Sequence, residues 1–225
     1  MILADAELEL VPKELQDHPS VIKNAKRRRK SPSKLLLDSS LHRSAFKDKA
    51  EALRRGRPDI VQFFLSLCLD SIPNAEGKLT TMVHTRNNEL IEVSPDMRMP
   101  RSHNRFVGLM EELFDKGQVP DKKPLMRITR NTDLEDVLKK VEPRTTICLA
   151  PDGELVETVS LFEDLKGPIA CIIGGFPEGD YSSPAKELSD RVVSISPHLL
   201  KVWTVASNIL VSYNQSEKTY KRALH

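Results

Sequence analysis

Three glycines and a proline are concentrated in residues 174–179, directly after an apolar run typical of a buried strand. Glycine allows the backbone to turn tightly and to approach a ligand closely. In a parallel α/β sheet, ligands bind beyond the carboxyl ends of the strands. The stretch therefore predicts a ligand-binding loop, although an ordinary strand-ending turn would use the same residue types.

A second stretch, residues 193–200, runs from an apolar strand into a helix predicted to begin at Ser196-Pro197. This arrangement would place free backbone N–H groups at the mouth of the sheet. Backbone groups and apolar side chains suit an adenine and a methionyl chain better than a phosphate. The alternative interpretation is a plain helix cap.

Charged side chains occur at two further places that could act on a polar substrate. In Arg57-Pro58-Asp59, the carboxylate would lie in the first turn of a helix and could hold the arginine by a charge-assisted pair. Capping with a surface ion pair is the alternative. Arg98, Arg101 and Arg105 surround a proline-stiffened turn with no acid between 97 and 110, which favours a grip on phosphate groups.

A basic run over residues 23–34 contains seven lysines and arginines and no acid. Such a run could contact nucleic acid, or it could be a solvated helix face followed by a loop. The charge pattern leaves both interpretations open.

The elements that must position these residues alternate between strand and helix, which predicts an α/β domain with a largely parallel sheet. An Asn87-Asn88 turn predicts a hairpin, and Asp152-Gly153 predicts a turn after a strand. The predicted strands cover about 3–11, 79–85, 89–93, 125–129, 145–149, 169–173 and 192–195, and the predicted helices about 19–30, 40–53, 58–69, 102–116, 132–141 and 196–213.

Composition sets the class of protein. The 225 residues are 39% hydrophobic and 29% charged, with a net charge of +2, which is typical of a globular chain and allows one domain over 1–225. No apolar run reaches the length of a membrane span, and the acidic N-terminus is unlike a signal peptide. Three scattered cysteines in apolar runs predict reduced core residues of a cytoplasmic protein.

Several chemistries lack their sequence signatures. The six histidines are not spaced as metal ligands with each other or with the cysteines, so no metal site is expected. The chain also lacks a P-loop, a nucleophile elbow and a dinucleotide-binding fingerprint. Hydrolase and nucleotide-hydrolysing functions therefore have no support.

The four chemistry-bearing stretches occur together in an order that resembles one family. The chain resembles the ribosome-biogenesis pseudouridine-N(1)-specific small-subunit rRNA methyltransferases of the SPOUT superfamily, in their archaeal branch. The Arg-Pro-Asp and Arg-x-Pro-Arg-x-x-x-Arg elements are its specific parts. The resembling segments are 35–40, 56–60, 91–105, 106–110 and 193–196.

The resemblance implies a mostly parallel sheet flanked by helices, a C-terminal trefoil knot, and a homodimer with the substrate near the subunit interface. It implies S-adenosylmethionine as the cofactor and small-subunit ribosomal RNA as the substrate. The RNA contacts fall on Arg57, Arg98, Arg101 and Arg105. The implied cofactor residues are Leu149, Gly174, Gly179, Ile195, Ser196, Pro197, His198, Leu199 and Leu200.

Methyl transfer from a sulfonium to a ring nitrogen needs positioning more than covalent catalysis. Arg57 is the candidate for stabilising negative charge on the ring, and Asp59 either orients Arg57 or acts as the base. The orienting role is favoured, because a carboxylate beside an arginine is a poor proton acceptor. Two other functions stay in view: a non-catalytic RNA-binding assembly factor with the same fold, and a tRNA methyltransferase, which the Arg-Pro-Asp match disfavours.

Overall fold

The computed structural model describes residues 1–223, with side chains described through residue 216. The last two residues of the predicted domain lie outside this range. The eight strands are β1 (Ile2–Ala6), β2 (Thr81–Thr85), β3 (Glu89–Val93), β4 (Gln118–Val119), β5 (Met126–Arg130), β6 (Thr145–Leu155), β7 (Ile169–Gly174) and β8 (Arg191–Ser194). The helices are α1 (Pro19–Arg28), α2 (Ser39–His42), α3 (Lys49–Arg54), α4 (Pro58–Leu69), α5 (Ile72–Ala75), α6 (His103–Lys116), α7 (Leu134–Val141) and α8 (Val202–Ala223).

All eight strands form one mixed sheet in the order β4-β5-β3-β2-β1-β7-β6-β8. The half from β2 to β8 is parallel, whereas β3, β4 and β5 extend it by antiparallel pairing. The predicted α/β class is therefore confirmed, and the antiparallel extension includes the predicted hairpin of β2 and β3. The carboxyl ends of β6, β7 and β8 lie side by side, where a ligand site is expected.

Helices cover both faces of the sheet, so that its central strands are apolar on both sides. On one face, α4, α6 and α8 contribute Phe64, Phe106 and Ala206 to a core shared with Leu3 and Ile173. On the other face, α7 packs on the neighbouring strand residues. A smaller core under α1 and α2 holds the N-terminal segment against the sheet.

The three cysteines are buried and unpaired, as expected. Burial raises the pKa of the Cys148 and Cys171 thiols to about 11, which keeps them protonated and unreactive. Among residues 1–223, no helix has the length and apolar character needed to cross a membrane.

Two predicted helix boundaries are wrong. The predicted helix over 40–53 is divided into α2 and α3, because Asp48 accepts a hydrogen bond from the Ala50 N–H and starts a second helix. The final helix begins at Val202 rather than at Ser196, since the Ser196 hydroxyl accepts a hydrogen bond from the His198 N–H and stabilises a turn there.

Two predicted strand boundaries are also wrong. The Asp152-Gly153 turn lies inside β6, which continues past a register shift along β8. A Cβ at Gly153 would lie 2.6 Å from the Val193 nitrogen, so the missing side chain lets the two backbones come together. The first strand ends at Ala6 rather than at Val11, after Asp5 takes a left-handed conformation with φ of 52°.

Candidate functional site

A cleft of about 230 Å³ opens at the carboxyl ends of the parallel strands β6, β7 and β8. Its walls combine apolar side chains such as Ile173 and Val205 with the backbone of two loops, 174–181 and 194–200. Eight of the nine predicted cofactor residues line it, and Pro197 is the one that does not. The eight are Leu149, Gly174, Gly179, Ile195, Ser196, His198, Leu199 and Leu200.

The glycines of the first loop make room for other parts of the protein. A Cβ at Gly174 would lie 2.7 Å from the Phe176 ring, and one at Gly179 would lie 2.8 Å from Nη1 of Arg54. Gly179 also has a φ of +88°, which favours glycine. Both glycines therefore shape the loop itself, a reason that the sequence interpretation did not include.

Two aromatic residues, not predicted from the sequence, form part of the cleft wall. The Phe176 and Tyr181 rings meet edge to face with centroids 5.3 Å apart. The Tyr181 hydroxyl donates to the Leu149 carbonyl oxygen at 2.8 Å. Burial raises the pKa of Tyr181 well above its ordinary value, so that the phenol remains a neutral donor.

Three buried acids after β1 anchor the surroundings of the cleft. Asp5 accepts hydrogen bonds from the backbone N–H groups of Ser182 and Ser183 at 2.7 and 3.0 Å. Glu7 and Glu9 are also almost completely buried, and each pairs with arginines. The alternation of acidic and apolar residues suggested an exposed polar face, whereas the structure turns these acids inward toward partners that are distant in sequence.

Arg57 and Asp59 form a two-bond ion pair at the start of α4. Arg57 Nε donates to Asp59 Oδ1 at 2.8 Å, and Arg57 Nη2 donates to Asp59 Oδ2 at 2.7 Å. The hydrogen bond with Asp59 raises the pKa of Arg57 above its ordinary value. The guanidinium is thus a fixed cation that is still partly open to solvent.

Arg98, Arg101 and Arg105 are exposed and form no ion pair within the described part of the chain. Their loop is nevertheless held in place. Gln62 of α4 donates from Nε2 to the Pro100 carbonyl oxygen at 3.0 Å. The three guanidinium groups are therefore available to a ligand on an anchored segment.

His103, at the first position of α6, ties the same loop to α2 and α4. Its Nδ1 lies 3.0 Å from Gln62 Oε1, and its Nε2 lies 3.0 Å from Asp38 Oδ2. Burial alone would raise the pKa of Asp38, but hydrogen bonds from Ser40 and His103 outweigh it and lower that pKa. Because Asp38 also attracts Arg57 electrostatically, the arginine loop and the Arg57–Asp59 pair belong to one surface.

Part of the basic run over 23–34 is structural. Arg28 and Lys30 both pair with the buried carboxylate of Glu111 on α6, and Lys34 pairs with Asp115. Lys26 and Arg29 remain exposed, with no ion pair among the described residues. The run is therefore divided between helix anchoring and free surface charge.

The described residues contain no group of three or more histidine, cysteine, aspartate or glutamate side chains that could hold a metal ion. The cleft instead offers apolar walls and backbone polar groups beside a cationic surface. This combination suits a nucleoside-like ligand in the cleft and a polyanion across the surface.

A family model for the EMG1/NEP1 methyltransferases matches residues 1–214. The chain belongs to the EMG1/NEP1 methyltransferase family. The family expected from the sequence is thus confirmed, and the relatives of the chain are archaeal.

Two relatives are each named "Ribosomal RNA small subunit methyltransferase Nep1". The protein from Methanothrix thermoacetophila is 45% identical over 213 residues, covering 95% of this chain and 94% of the relative. The protein from Thermococcus sibiricus is 45% identical over 218 residues, covering 96% and 97%.

A crystal structure of Archaeoglobus fulgidus Nep1 bound to S-adenosylhomocysteine has a similar fold, with a TM-score of 0.85 and 34% identity. The match covers 96% of this chain and 97% of that one. The expected SPOUT-type architecture is confirmed by this likeness, and the C-terminal knot stays a prediction.

Proposed function

We propose that this EMG1/NEP1 family member is an S-adenosylmethionine-dependent methyltransferase acting on N(1) of a pseudouridine in small-subunit ribosomal RNA. The cleft at the ends of β6, β7 and β8 carries the proposal, because its lining matches the cofactor loops expected from the sequence. The relative of similar fold is bound to S-adenosylhomocysteine, the product of such a transfer. The whole chain acts as one domain on this sheet, and the ribosomal substrate agrees with the expected cytoplasmic location.

The residues of the cleft fit this cofactor. Leu149, Ile173 and Val205 provide apolar surface for an adenine ring, and the two loops provide backbone donors and acceptors for its polar edges. Loop 194–200 would hold the methionyl part through the backbone near His198 and Leu200. When bound, the cofactor supplies an electrophilic methyl group on a sulfonium sulfur.

Arg57 and Asp59 are the proposed catalytic pair. N(1) of the target ring forms a bond to the methyl carbon as the carbon–sulfur bond breaks toward sulfur, and the N(1) proton passes to solvent. Arg57 stabilises the negative charge that develops on the ring carbonyl. Asp59 orients Arg57, since both of its oxygens already accept hydrogen bonds from that guanidinium.

Arg98, Arg101 and Arg105 are proposed to bind phosphates of an RNA loop whose target base is splayed out toward the cleft. Their exposure and their lack of internal partners among the described residues support this role. Arg57, on the same surface, would contact the base.

We further propose a homodimer formed through α4 and α8. Phe63 of α4 is 53% exposed although its ring lies 5.2 Å from that of Trp203 on α8, and Leu199 is 76% exposed. A contiguous apolar surface of this kind is typical of a protein interface. It adjoins the cleft through Leu199, which agrees with a substrate site near the subunit interface.

The alternative function is a non-catalytic assembly factor that binds ribosomal RNA. The arginines alone would serve such a protein, but a pure binder has no need of the intact cleft. The cleft therefore favours the enzyme.

The deciding experiment combines calorimetry with S-adenosylhomocysteine and a methyl-transfer assay on matched RNA hairpins. The loop of the hairpin contains pseudouridine, uridine or N(1)-methylpseudouridine at one position. We expect cofactor binding and transfer to the pseudouridine hairpin only. Absence of cofactor binding would support the assembly factor, and equal transfer to the uridine hairpin would exclude the proposed target atom.

A further inference from the structure

Arg54, the last residue of α3, bridges the two halves of the site. Its Nη1 donates to the carbonyl oxygens of Glu178 and Asp180 at 3.2 and 2.8 Å, and its Nη2 donates to Ser182 Oγ at 3.3 Å. Its guanidinium carbon lies 4.2 Å from the centroid of the Phe176 ring. All four partners belong to the segment that forms one wall of the cleft or continues it.

The segment is folded around this guanidinium. The left-handed Gly179 leaves space for Nη1, where a Cβ would lie only 2.8 Å away. Under the guanidinium, Phe176 meets Tyr181, whose hydroxyl reaches the Leu149 carbonyl oxygen in the cleft. Removing the fork of Arg54 would therefore release carbonyl groups and an aromatic ring that define the cleft.

The opposite side of Arg54 is fixed to the segment that carries Arg57. Arg54 Nε donates to Glu7 Oε1 at 2.7 Å, and the Arg57 N–H donates to the carbonyl oxygen of the same Glu7 at 2.9 Å. Arg86 completes the Glu7 carboxylate, with Nη1 2.8 Å from Oε2. Glu7 is almost completely buried, so the two arginines are held on one internal anchor.

We propose that Arg54 is a positioning residue that couples occupation of the cleft to the placement of Arg57, so that cofactor and RNA bind cooperatively. A ligand that orders loop 174–182 orders Arg54, and Arg54 through Glu7 orders the backbone at Arg57. Since coupling between two sites is reciprocal, RNA held at Arg57 tightens the cofactor cleft by the same factor. The inference rests on the proposed function for the identity of the two ligands.

Arg55 provides a matched control. It is the next residue along the chain, is similarly buried, and donates to Glu9 at 2.8 Å through both Nε and Nη2. No contact joins it to loop 174–182 within the described residues. Arg55→Lys therefore perturbs a buried arginine–glutamate pair without touching the cleft.

The test measures the affinity for S-adenosylhomocysteine with and without a saturating pseudouridine hairpin, in wild type, Arg54→Gln, Arg54→Lys and Arg55→Lys. We expect RNA to tighten cofactor binding by roughly tenfold in wild type, within the usual range of coupling. The ratio should fall close to one in Arg54→Gln, recover in part in Arg54→Lys, and stay at the wild-type value in Arg55→Lys. In turnover, Arg54→Gln should raise the KM for cofactor and lower kcat together.

Ser182→Ala keeps the test valid if Arg54→Gln fails to fold, because it removes only the Nη2 contact and should reduce the ratio to a smaller extent. A ratio of one in wild type, or an equal loss in Arg55→Lys, would overturn the coupling while leaving the proposed function intact. A wild-type protein that binds neither probe would overturn the proposed function, and the coupling with it.

Discussion

Replacing either member of the Arg57–Asp59 pair separates an orienting aspartate from a catalytic base. In Asp59→Asn, the amide offers one acceptor oxygen to two arginine donors, so one of the bonds at 2.7 and 2.8 Å is lost. A charge-assisted hydrogen bond contributes about 1.5–3 kcal/mol. Because the two side chains are 26% and 35% exposed, we expect the smaller loss of about 1 kcal/mol after screening by solvent.

A loss of about 1 kcal/mol corresponds to a roughly fivefold lower rate of methyl transfer, since 1.4 kcal/mol is tenfold. Arg57→Ala removes the charge-stabilising donor itself and should lower the rate by about 10²–10³. The assay is single-turnover transfer of labelled methyl to the pseudouridine hairpin, with cofactor affinity measured in parallel as the control. If Asp59→Asn loses more rate than Arg57→Ala, and its rate no longer depends on the titration of an acid, Asp59 is the base and the orienting role is refuted.

Three further predictions follow from other parts of the molecule. Alanine in place of Arg98, Arg101 or Arg105 should weaken hairpin binding and reduce the slope of log affinity against log salt by about 0.7 for each phosphate contact; Lys26→Ala is the control, and unchanged slopes would make the cluster structural. Burial lowers the pKa of His42 and of His84 below 6.5, so both favour folding when neutral, and this stabilisation is complete above pH 6.5 and is lost as the pH falls through their folded values; urea unfolding should show up to about 1.4 kcal/mol per pH unit for each proton taken up, and His42→Gln should reduce that slope. Light scattering should give twice the chain mass of 25.4 kDa, and Phe63→Asp should give the monomer, whereas a monomeric wild type would exclude the shared interface.

The sequence predicted the sheet and both cofactor loops because their signals are local. Apolar runs such as 169–173 can be recognised from neighbouring residues, and so can the glycines that follow them. The errors at Gly153 and Ser196 have a different origin: a strand can continue through a turn-like dipeptide when a second backbone packs against it, as Val193 does here. That neighbour is distant in the chain and leaves no local pattern.

The residues that shape the cleft were missed for the same reason. Asp5 contacts Ser182 across 177 positions of sequence, and Arg54 contacts Asp180 across 126. An acid in a strand-like alternation indicates solvent exposure unless its partners are known. Only the folded chain brings Asp5, Glu7 and Arg54 to the same side of the cleft.

The arginines of this protein therefore fall into two groups that composition cannot distinguish. Arg28, Arg54 and Arg55 each pair with a nearly buried glutamate, and removing one would leave that carboxylate buried without its partner, which is strongly destabilising. Arg98 and Arg101 have no such partner within the described residues, so their removal should have little effect on folding. A net charge of +2 hides this division, because the buried acids neutralise the structural arginines and leave the unpaired ones as the surface that a phosphate backbone would meet.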